Sequence, residues 1–177
     1  MRNTTILFFF ILVFSCINIK CKKTNTTVPD NPFGLPNATQ TGAKIFAYLK
    51  NGMPQIAKQG IYTMGGGVDN DTLGVTGSAG DNTYFERITI NIRGGIQEST
   101  YQVDNPAPGF RTIWISTNKD CFGVGNVQNV YSTTGKVVLT KIDKVNKIIS
   151  GTFNCKIPIP NCDTLNITEG RFDIKYY

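Results

Sequence analysis

The sequence predicts an all-β domain: a single antiparallel β-sandwich or small β-barrel of about eight strands, preceded by an N-terminal signal helix and a linker. From Ala43 onward, apolar and polar residues alternate with a period of two. Clusters of Gly, Asn, Asp or Pro separate the alternating runs, and the 177 residues include 18 glycines. No helical period in this region continues for longer than about two turns.

Residues 1–15 have the composition of a secretory signal peptide. Arg2 supplies an early positive charge, and the nine residues from Ile6 to Phe14 are all apolar. This run is about half of the roughly 20 residues that a helix needs to cross a bilayer. We therefore expect the segment to be cleaved rather than to remain as a membrane span.

The residues around Cys16 predict lipidation. Val13, Ser15 and Cys16 match positions −3, −1 and +1 of a relaxed lipobox, in which the Cys thiol receives a diacylglycerol group before cleavage. Cys21 is the alternative acceptor, but the preceding Lys20 fits a signal peptidase pocket poorly. A secretory signal without lipidation is the remaining alternative. Two or three acyl chains would hold the protein firmly at a membrane.

Residues 16–42 predict a flexible linker, rich in Pro, Thr and Asn, between the lipidated Cys and the domain. Within this linker, we expect Phe33 and Leu35 to dock on the domain. No acidic cluster follows either candidate Cys. Acidic residues at that place resemble the surface-export signal of some lipoproteins, so their absence favours the periplasmic side. We therefore expect a lipid-anchored protein of the cell envelope, on the outer membrane and facing the periplasm.

The predicted strands lie in a domain that spans residues 43–177. In the run Tyr84–Arg93, three isoleucines share one face and polar residues share the other, which predicts a strand with one solvated face. The similar runs are Lys44–Asn51, Gln55–Tyr62, Thr72–Ser78, Gly109–Thr117, Lys136–Asp143, Lys147–Cys155 and Thr164–Tyr176. Short connections predict that the last three runs form an antiparallel meander.

Charge and composition argue against a nucleic-acid partner. The whole chain has a net charge of +6, but from Asn31 onward 14 Lys and Arg stand against 11 Asp and Glu. No basic stripe interleaved with aromatic residues occurs in the sequence. Because 40% of the residues are hydrophobic and only 17% are charged, we expect a folded domain rather than a disordered chain.

Cysteine and histidine usage predicts neither a metal site nor a cofactor. The chain has no histidine, which excludes Ser-His-Asp and Cys-His catalysis and His-based zinc sites. The downstream cysteines lack CxxC spacing, and thiols of exported proteins usually form disulfides. A bridge between Cys155 and Cys162 would staple the Pro-rich connection between them. The alternative is a bridge between Cys121 and Cys162.

The acidic residues predict no catalytic or calcium site. Glu169, Arg171 and Asp173 alternate onto one face, which we interpret as a solvated ionic row. An acid/base pair for glycoside hydrolysis is the alternative, but the two carboxyl-bearing Cα atoms would lie roughly 13 Å apart on a strand. Segment 69–74 partly matches a calcium loop, yet Leu73 occupies a ligand position, which favours a turn.

Aromatic residues give the sequence one further indication of function. Trp114 alternates with Ile113 and Ile115, so either the indole or the two isoleucines must face outward. If Trp114 lines an open face together with Phe110 or Tyr101, stacking against a sugar or a lipid would follow.

The C-terminal runs resemble the signature of an uncharacterised family of Bacteroidota lipoproteins. The segments that carry the resemblance are Gly135–Asp143, Ile148–Phe153, Ile167–Ile174 and the upstream Ala38–Ala43. The resemblance implies a cell-envelope domain with no assigned activity. Two departures are Cys155, where the family often has an aromatic residue, and the flexible stretch Gly65–Gly67.

Together these observations predict a membrane-anchored cell-envelope lipoprotein of unknown molecular function. We expect a non-enzymatic binding or interaction domain with a protein or glycan partner in the envelope. The first alternative is a carrier of a small lipid or carbohydrate ligand in a barrel mouth or groove. The second alternative is a carboxylate-based hydrolase, which would need two carboxylates in one cleft.

Overall fold

The computed structural model describes residues 33–57, 64–80, 85–104, 111–117 and 128–177. Their regular secondary structure is β throughout, which confirms the predicted all-β class. The strands are β1 (Ile45–Lys50), β2 (Met53–Ile56), β3 (Met64–Asp69), β4 (Thr72–Gly80), β5 (Phe85–Arg93), β6 (Thr100–Asp104), β7 (Arg111–Thr117), β8 (Gln128–Tyr131), β9 (Thr134–Asp143), β10 (Ile148–Ile157) and β11 (Leu165–Lys175).

The strands form two open antiparallel sheets that pack face to face. The six-stranded sheet has the order β2-β1-β11-β10-β9-β6, and the five-stranded sheet has the order β3-β4-β5-β7-β8. One buried cluster contains Phe46 and Phe153 of the first sheet together with Leu73 and Ile90 of the second. The fold is therefore a sandwich, and the barrel alternative does not apply to the described strands.

The alternation of apolar and polar residues along the strands explains why each sheet buries one face. In β5, Ile88, Ile90 and Ile92 are almost fully buried, while Thr89 and Asn91 lie on the outer face. Burial of one such aliphatic side chain contributes about 1.5–3 kcal/mol. The sandwich core is consequently built from the period-two pattern that the sequence displays.

The predicted C-terminal meander is confirmed, since β9, β10 and β11 are antiparallel neighbours. The predicted turn in segment 69–74 is confirmed as well, because Asp69 pairs with Thr72 at the end of the β3–β4 hairpin. Part of the predicted strand Gln55–Tyr62 belongs to β2, while residues 58–63 lie outside the described part of the chain.

Three strands lie where the sequence predicted none. Strand β3 has the sequence MGGGVD, so three consecutive glycines remove the alternation that marks a strand. Strands β6 and β8 contain 5 and 4 residues, too few to show a clear period.

Glycine allows close packing between the sheets at Gly77 of β4. A Cβ atom on this residue would lie 2.2 Å from the ring of Phe46 in β1. The aromatic ring therefore packs directly on the backbone of β4, which no other residue type would permit without displacement of one sheet.

The predicted pairing of Cys155 with Cys162 is wrong. Cys155 has a free thiol, because its position in β10 directs the side chain into the core between the two sheets. Burial raises the pKa of this thiol to about 12. Cys162 is disulfide-bonded, and its partner is not among the described residues. The alternative partner, Cys121, lies outside those residues, so this pairing stays a prediction.

The N-terminal predictions fall partly within the described residues. Leu35 is buried against Ala47 and Leu49 of β1, whereas Phe33 is largely exposed. Cys16, Cys21 and the signal segment lie outside the described residues. Within the described part of the chain, there is no helix of the length and apolar character required to span a membrane.

Candidate functional site

The outer face of the five-stranded sheet carries a pair of exposed aromatic rings. Trp114 of β7 lies directly opposite Tyr131 of β8, with ring centroids 5.8 Å apart and ring planes inclined by 42°. Tyr131 is 45% exposed, and Trp114 is partly exposed. Because Ile113 and Ile115 are fully buried, the alternation in β7 places the indole outside the core.

Tyr101, one of the two partners predicted for Trp114, does not lie beside it. Tyr101 lies in β6 of the other sheet, where its ring is buried and its hydroxyl donates to the carbonyl of Gln97 at 2.8 Å. The guanidinium of Arg111 lies 5.3 Å from the centroid of that ring. Phe110 lies outside the described residues. Tyr131 was missed because β8 is too short to be recognised from its sequence.

A row of directly opposed residues crosses the whole five-stranded sheet and ends at the aromatic pair. In strand order, its members are Gly65, Thr76, Thr89, Trp114 and Tyr131. With strands about 4.8 Å apart, the row is roughly 19 Å long. The hydroxyls of the two threonines are 3.2 Å apart, so the centre of the row offers a linked pair of hydrogen-bonding groups.

Two flanking rows place polar side chains on either side of this central row. One contains Gly67, Gly74, Asn91 and Thr112, and the other contains Ser78, Arg87, Ser116 and Asn129. Arg87 Nε donates to Ser78 Oγ at 3.1 Å, and Ser116 Oγ donates to Asn129 Oδ1 at 2.6 Å. The three rows together are called the aromatic face below. Its central row contains no charged residue.

Glycines on the outer side of β3 and β4 leave this half of the aromatic face without side chains at three positions. A Cβ atom on Gly67 or Gly74 would meet no atom within 4 Å, and one on Gly65 would meet only a methyl group at 3.9 Å. None of the three is among the positive-φ glycines. Each costs roughly 0.5–1 kcal/mol relative to Ala within a strand. The packing of the sandwich therefore does not require glycine at these positions.

A groove of about 640 Å³ lies on the outer face of the six-stranded sheet. A β-bulge in β11 at Thr168 and Glu169, where Glu169 has a φ of 51°, adjoins the groove. Its polar lining includes Gln102, Lys136 and Asn154, which oppose one another on β6, β9 and β10. The lining offers amides, hydroxyls and charges, and its residues include no aromatic ring.

The predicted solvated row on β11 is wrong for Asp173, which is only 1% exposed. The segment before β1 covers this carboxylate, which accepts hydrogen bonds from Thr39 Oγ1 at 2.6 Å, Gly42 N at 2.9 Å and Ala43 N at 3.0 Å. Ser150 Oγ of β10 donates a further bond at 2.7 Å. Burial raises the pKa of Asp173, but these hydrogen bonds outweigh it and lower the pKa to about 2.

Glu169 and Asp173 do not meet in one cleft. The bulge in β11 turns Glu169 toward solvent, where its carboxylate lies 3.2 Å from Arg171 Nη2. Arg171 Nη1 also donates to the carbonyl of Pro36 at 3.1 Å. The ionic contact between Glu169 and Arg171 matches the predicted row, whereas Asp173 lies beneath the segment Thr39–Ala43. The two carboxylates of the alternative acid/base pair for glycoside hydrolysis therefore lie in separate environments.

Comparison with known families finds a match that covers β3 to β10 and most of β11. A family model described as a domain of unknown function, DUF6252, matches residues 57–173, about two thirds of the chain. The chain belongs to the DUF6252 family. The match contains every residue of the aromatic face and supports the resemblance to an uncharacterised family. No curated protein and no solved structure matches the chain significantly.

A buried carboxylate that the sequence analysis did not single out joins the two sheets of the DUF6252 domain. Glu86 of β5 has a side chain that is 2% exposed, and it accepts hydrogen bonds from Tyr48 Oη at 2.9 Å and Lys50 Nζ at 2.6 Å. Both donors belong to β1. The signal was present in the sequence, because Glu86 has the same parity as the three buried isoleucines of β5.

The described residues of the DUF6252 domain contain no group of three or more His, Cys, Asp or Glu side chains arranged to hold a metal ion. The carboxylate-based hydrolase alternative would need two of Asp104, Asp120, Glu169 and Asp173 in one cleft. The side chain of Asp104 and the whole of Asp120 lie outside the described residues, so the predicted absence of catalytic and metal-binding residues stays a prediction.

Proposed function

We propose that this DUF6252 protein is a lipid-anchored, non-enzymatic binding protein of the cell envelope, and that the aromatic face is its binding surface. The exposed pair of Trp114 and Tyr131 carries the proposal. Aromatic side chains are enriched where proteins bind partners, because each ring offers a large apolar surface at a low conformational cost. Here the two rings adjoin hydroxyl and amide groups that can orient a ligand.

The anchoring part of the proposal rests on the sequence before the domain. The apolar run that ends at Phe14, followed by Ser15 and Cys16, supports acylation of Cys16 in a bacterium of the Bacteroidota. We place the protein on the outer membrane, facing the periplasm. The contacts of Asp173 fit this arrangement, because they bind the end of the linker to the six-stranded sheet.

The non-enzymatic part of the proposal rests on the state of the buried acids. Asp173 has a pKa of about 2, so it stays ionised and cannot act as a general acid near neutral pH. Glu86 is engaged by a tyrosine and a lysine inside the sandwich. Both groups have structural partners that account for their presence.

Intact mass spectrometry of protein extracted from its own membranes tests the anchor. We expect an acylated chain that begins at Cys16. Cys16→Ser should abolish acylation, whereas Cys21→Ser should leave the protein acylated and membrane-bound. An unacylated chain from these membranes, or release by Cys21→Ser alone, would overturn the assignment of Cys16.

Retention on purified cell envelopes tests the binding face. The mature chain with Cys16→Ser, which lacks the anchor, should sediment with envelopes, and Trp114→Ala should reduce its retention about tenfold. Tyr177→Ala is the matched control, because Tyr177 is an exposed aromatic residue outside the aromatic face. Equal retention of the unsubstituted chain and Trp114→Ala would overturn the proposed binding surface.

The groove on the six-stranded sheet favours carriage of a small polar ligand as a second candidate function. Its amide, hydroxyl and lysine lining suits a carbohydrate better than a lipid. A small molecule that remains bound in native mass spectrometry, and is lost on Asn154→Leu, would support this function over the first. If denaturation of the purified protein releases no small molecule, that result would argue against ligand carriage.

A further inference from the structure

We infer that the aromatic face binds a neutral, extended polysaccharide of β-1,4-linked pyranose rings. This inference rests on the proposed function and names the class of ligand for the same surface. It is carried by the rings of Trp114 and Tyr131, the absence of charge in the central row, and the outward glycines of β3 and β4.

The aromatic pair matches the chemistry of a pyranose. A pyranose has an apolar face of C–H groups and a rim of hydroxyls, so it stacks on an aromatic ring while its rim forms hydrogen bonds. Same-face rows of a strand lie about 7 Å apart, which places Asn91 and Asn129 on opposite sides of the stacked rings. Both amides can donate and accept hydrogen bonds.

Charge on the aromatic face favours a neutral chain over an acidic one. The central row is uncharged, and Arg87 in a flanking row already donates to Ser78. Asp69 and Arg93 belong to a further row at the end of β3 and β5, where their charges are of opposite sign. An acidic polymer would lack a line of cations to follow across these strands.

The shape of the aromatic face favours an extended chain over a helical one. Gly65, Gly67 and Gly74 leave the backbone open at these positions of β3 and β4, so a polysaccharide stacked on the rings meets only the small side chains of Thr89 and Thr76 along the central row before it reaches β3. A protein partner would need a broad apolar centre, which small and hydroxyl-bearing residues do not supply. The face is thus suited to a ribbon-like polymer of sugars.

Affinity electrophoresis of the mature chain with Cys16→Ser in gels that contain hydroxyethylcellulose or glucomannan tests the inference. We expect retardation by both polymers, and little retardation by polygalacturonate or amylose. Trp114→Ala and Tyr131→Ala should each weaken binding about tenfold or more, while Tyr177→Ala should have no effect. Absence of retardation by both β-1,4-linked polymers would overturn the inference.

Substitution of the outward glycines tests the shape argument without disturbing the fold. Gly67→Thr and Gly74→Thr place side chains in open space, so the midpoint of unfolding should be equal or higher, yet binding should weaken about tenfold because the path across β3 and β4 is blocked. Unchanged polysaccharide binding by both folded variants would show that the chain does not cross this half of the face, which overturns the inference.

Failure of this inference and failure of the proposed function give different results. If Trp114→Ala lowers envelope retention but the neutral polymers do not bind, the ligand class is wrong and the binding face stands. Binding to peptidoglycan sacculi or to anionic phospholipid vesicles, without binding to the neutral polymers, would likewise assign a different ligand. If Trp114→Ala changes neither the retention on envelopes nor the binding of the polymers, both proposals are wrong.

Discussion

Asp173 shows how one residue fixes the start of the domain. Its carboxylate gathers donors from the segment Thr39–Ala43 and from Ser150, so the chain that enters β1 is bound to β10 and β11 at one point. Hydrogen bonds to a charged acceptor contribute roughly 1.5–3 kcal/mol each when the acceptor cannot return to water. The polar face of β11 at this position is therefore part of the interior.

Asp173→Asn should lower the free energy of unfolding by about 2–3 kcal/mol. The NH2 group of the asparagine would face the N–H and O–H donors that now bind a carboxylate oxygen, so their hydrogen bonds would be lost. Chemical denaturation at pH 7 measures the loss. Asp143→Asn is the control: Asp143 is partly exposed at the end of β9, and hydrogen bonds from Asn146 lower its pKa. A loss no larger than that of the control would contradict the assigned role of Asp173.

The pH dependence of stability provides a second prediction for this residue. The pKa of Asp173 is about 2 in the folded chain, below the ordinary value of 3.8. The unfolded state therefore binds the proton more readily, so the stabilisation is complete above about pH 4 and is lost as pH falls toward 2. Unfolding free energies between pH 5 and 2 should fall more steeply for the unsubstituted chain than for Asp173→Asn. Parallel curves would contradict this linkage.

Sequence reasoning at the residue scale succeeded where neighbours along the chain decide the environment. The buried isoleucines of β5 follow from alternation alone. The same alternation contains the signal for the inward carboxylate of Glu86, which was not used. The burial of Asp173 depends on Ala43, which is 130 residues away in the sequence. No local sequence pattern records that contact, so the alternation along β11 predicted a solvent-exposed carboxylate.

At the scale of single elements, β4 shows two different uses of glycine in one strand. Gly77 faces the core under the ring of Phe46, whereas Gly74 faces outward into open space. The first position is constrained by packing between the sheets, and the second is not. This contrast separates glycines that serve the fold from glycines that shape a surface.

Gly77→Ala should destabilise the domain by about 1–3 kcal/mol or more, since the new methyl group would overlap the ring of Phe46. Gly74→Ala should leave stability unchanged or raise it by up to about 1 kcal/mol. Urea unfolding of the two single variants makes the comparison. Similar losses for both substitutions would mean that the two glycines do not differ as described.

The strands also show why half of the aromatic face could be predicted. Trp114 lies in β7, whose isoleucines give a clear period, so its outward position was one of two definite alternatives. Tyr131 lies in a strand of 4 residues, and β3 contains three consecutive glycines. Such strands form because a neighbouring strand pairs with them, and sequence periodicity does not record that pairing.

At the scale of the whole molecule, the cysteines divide into a core thiol and a covalent link. Cys155 is buried with a pKa raised to about 12, which keeps it protonated and unreactive. Cys162 lies in the connection between β10 and β11 and is disulfide-bonded. A bridge from there to Cys121 would link that connection to the part of the sequence between β7 and β8.

Peptide mapping under non-reducing conditions should identify a bridged peptide that contains Cys121 and Cys162. Cys155 should resist iodoacetamide at pH 8 in the folded protein and react after denaturation, because its thiol is enclosed by the core. Cys121→Ser should leave Cys162 open to labelling. Detection of a Cys155–Cys162 peptide from the native protein would contradict the pairing and the free thiol together.

The position of β11 between β1 and β10 has a consequence for how fast the molecule folds. Strand β1 pairs with the adjacent β2 on one side and with the distant β11 on the other, and Thr39 contacts Asp173 across 134 residues of sequence. Contacts of such long range slow folding, and all-β domains of this kind fold in milliseconds to seconds. The newly made chain therefore stays unfolded for a comparatively long time, which suits the export that we propose, because a polypeptide passes through a narrow channel only before it folds.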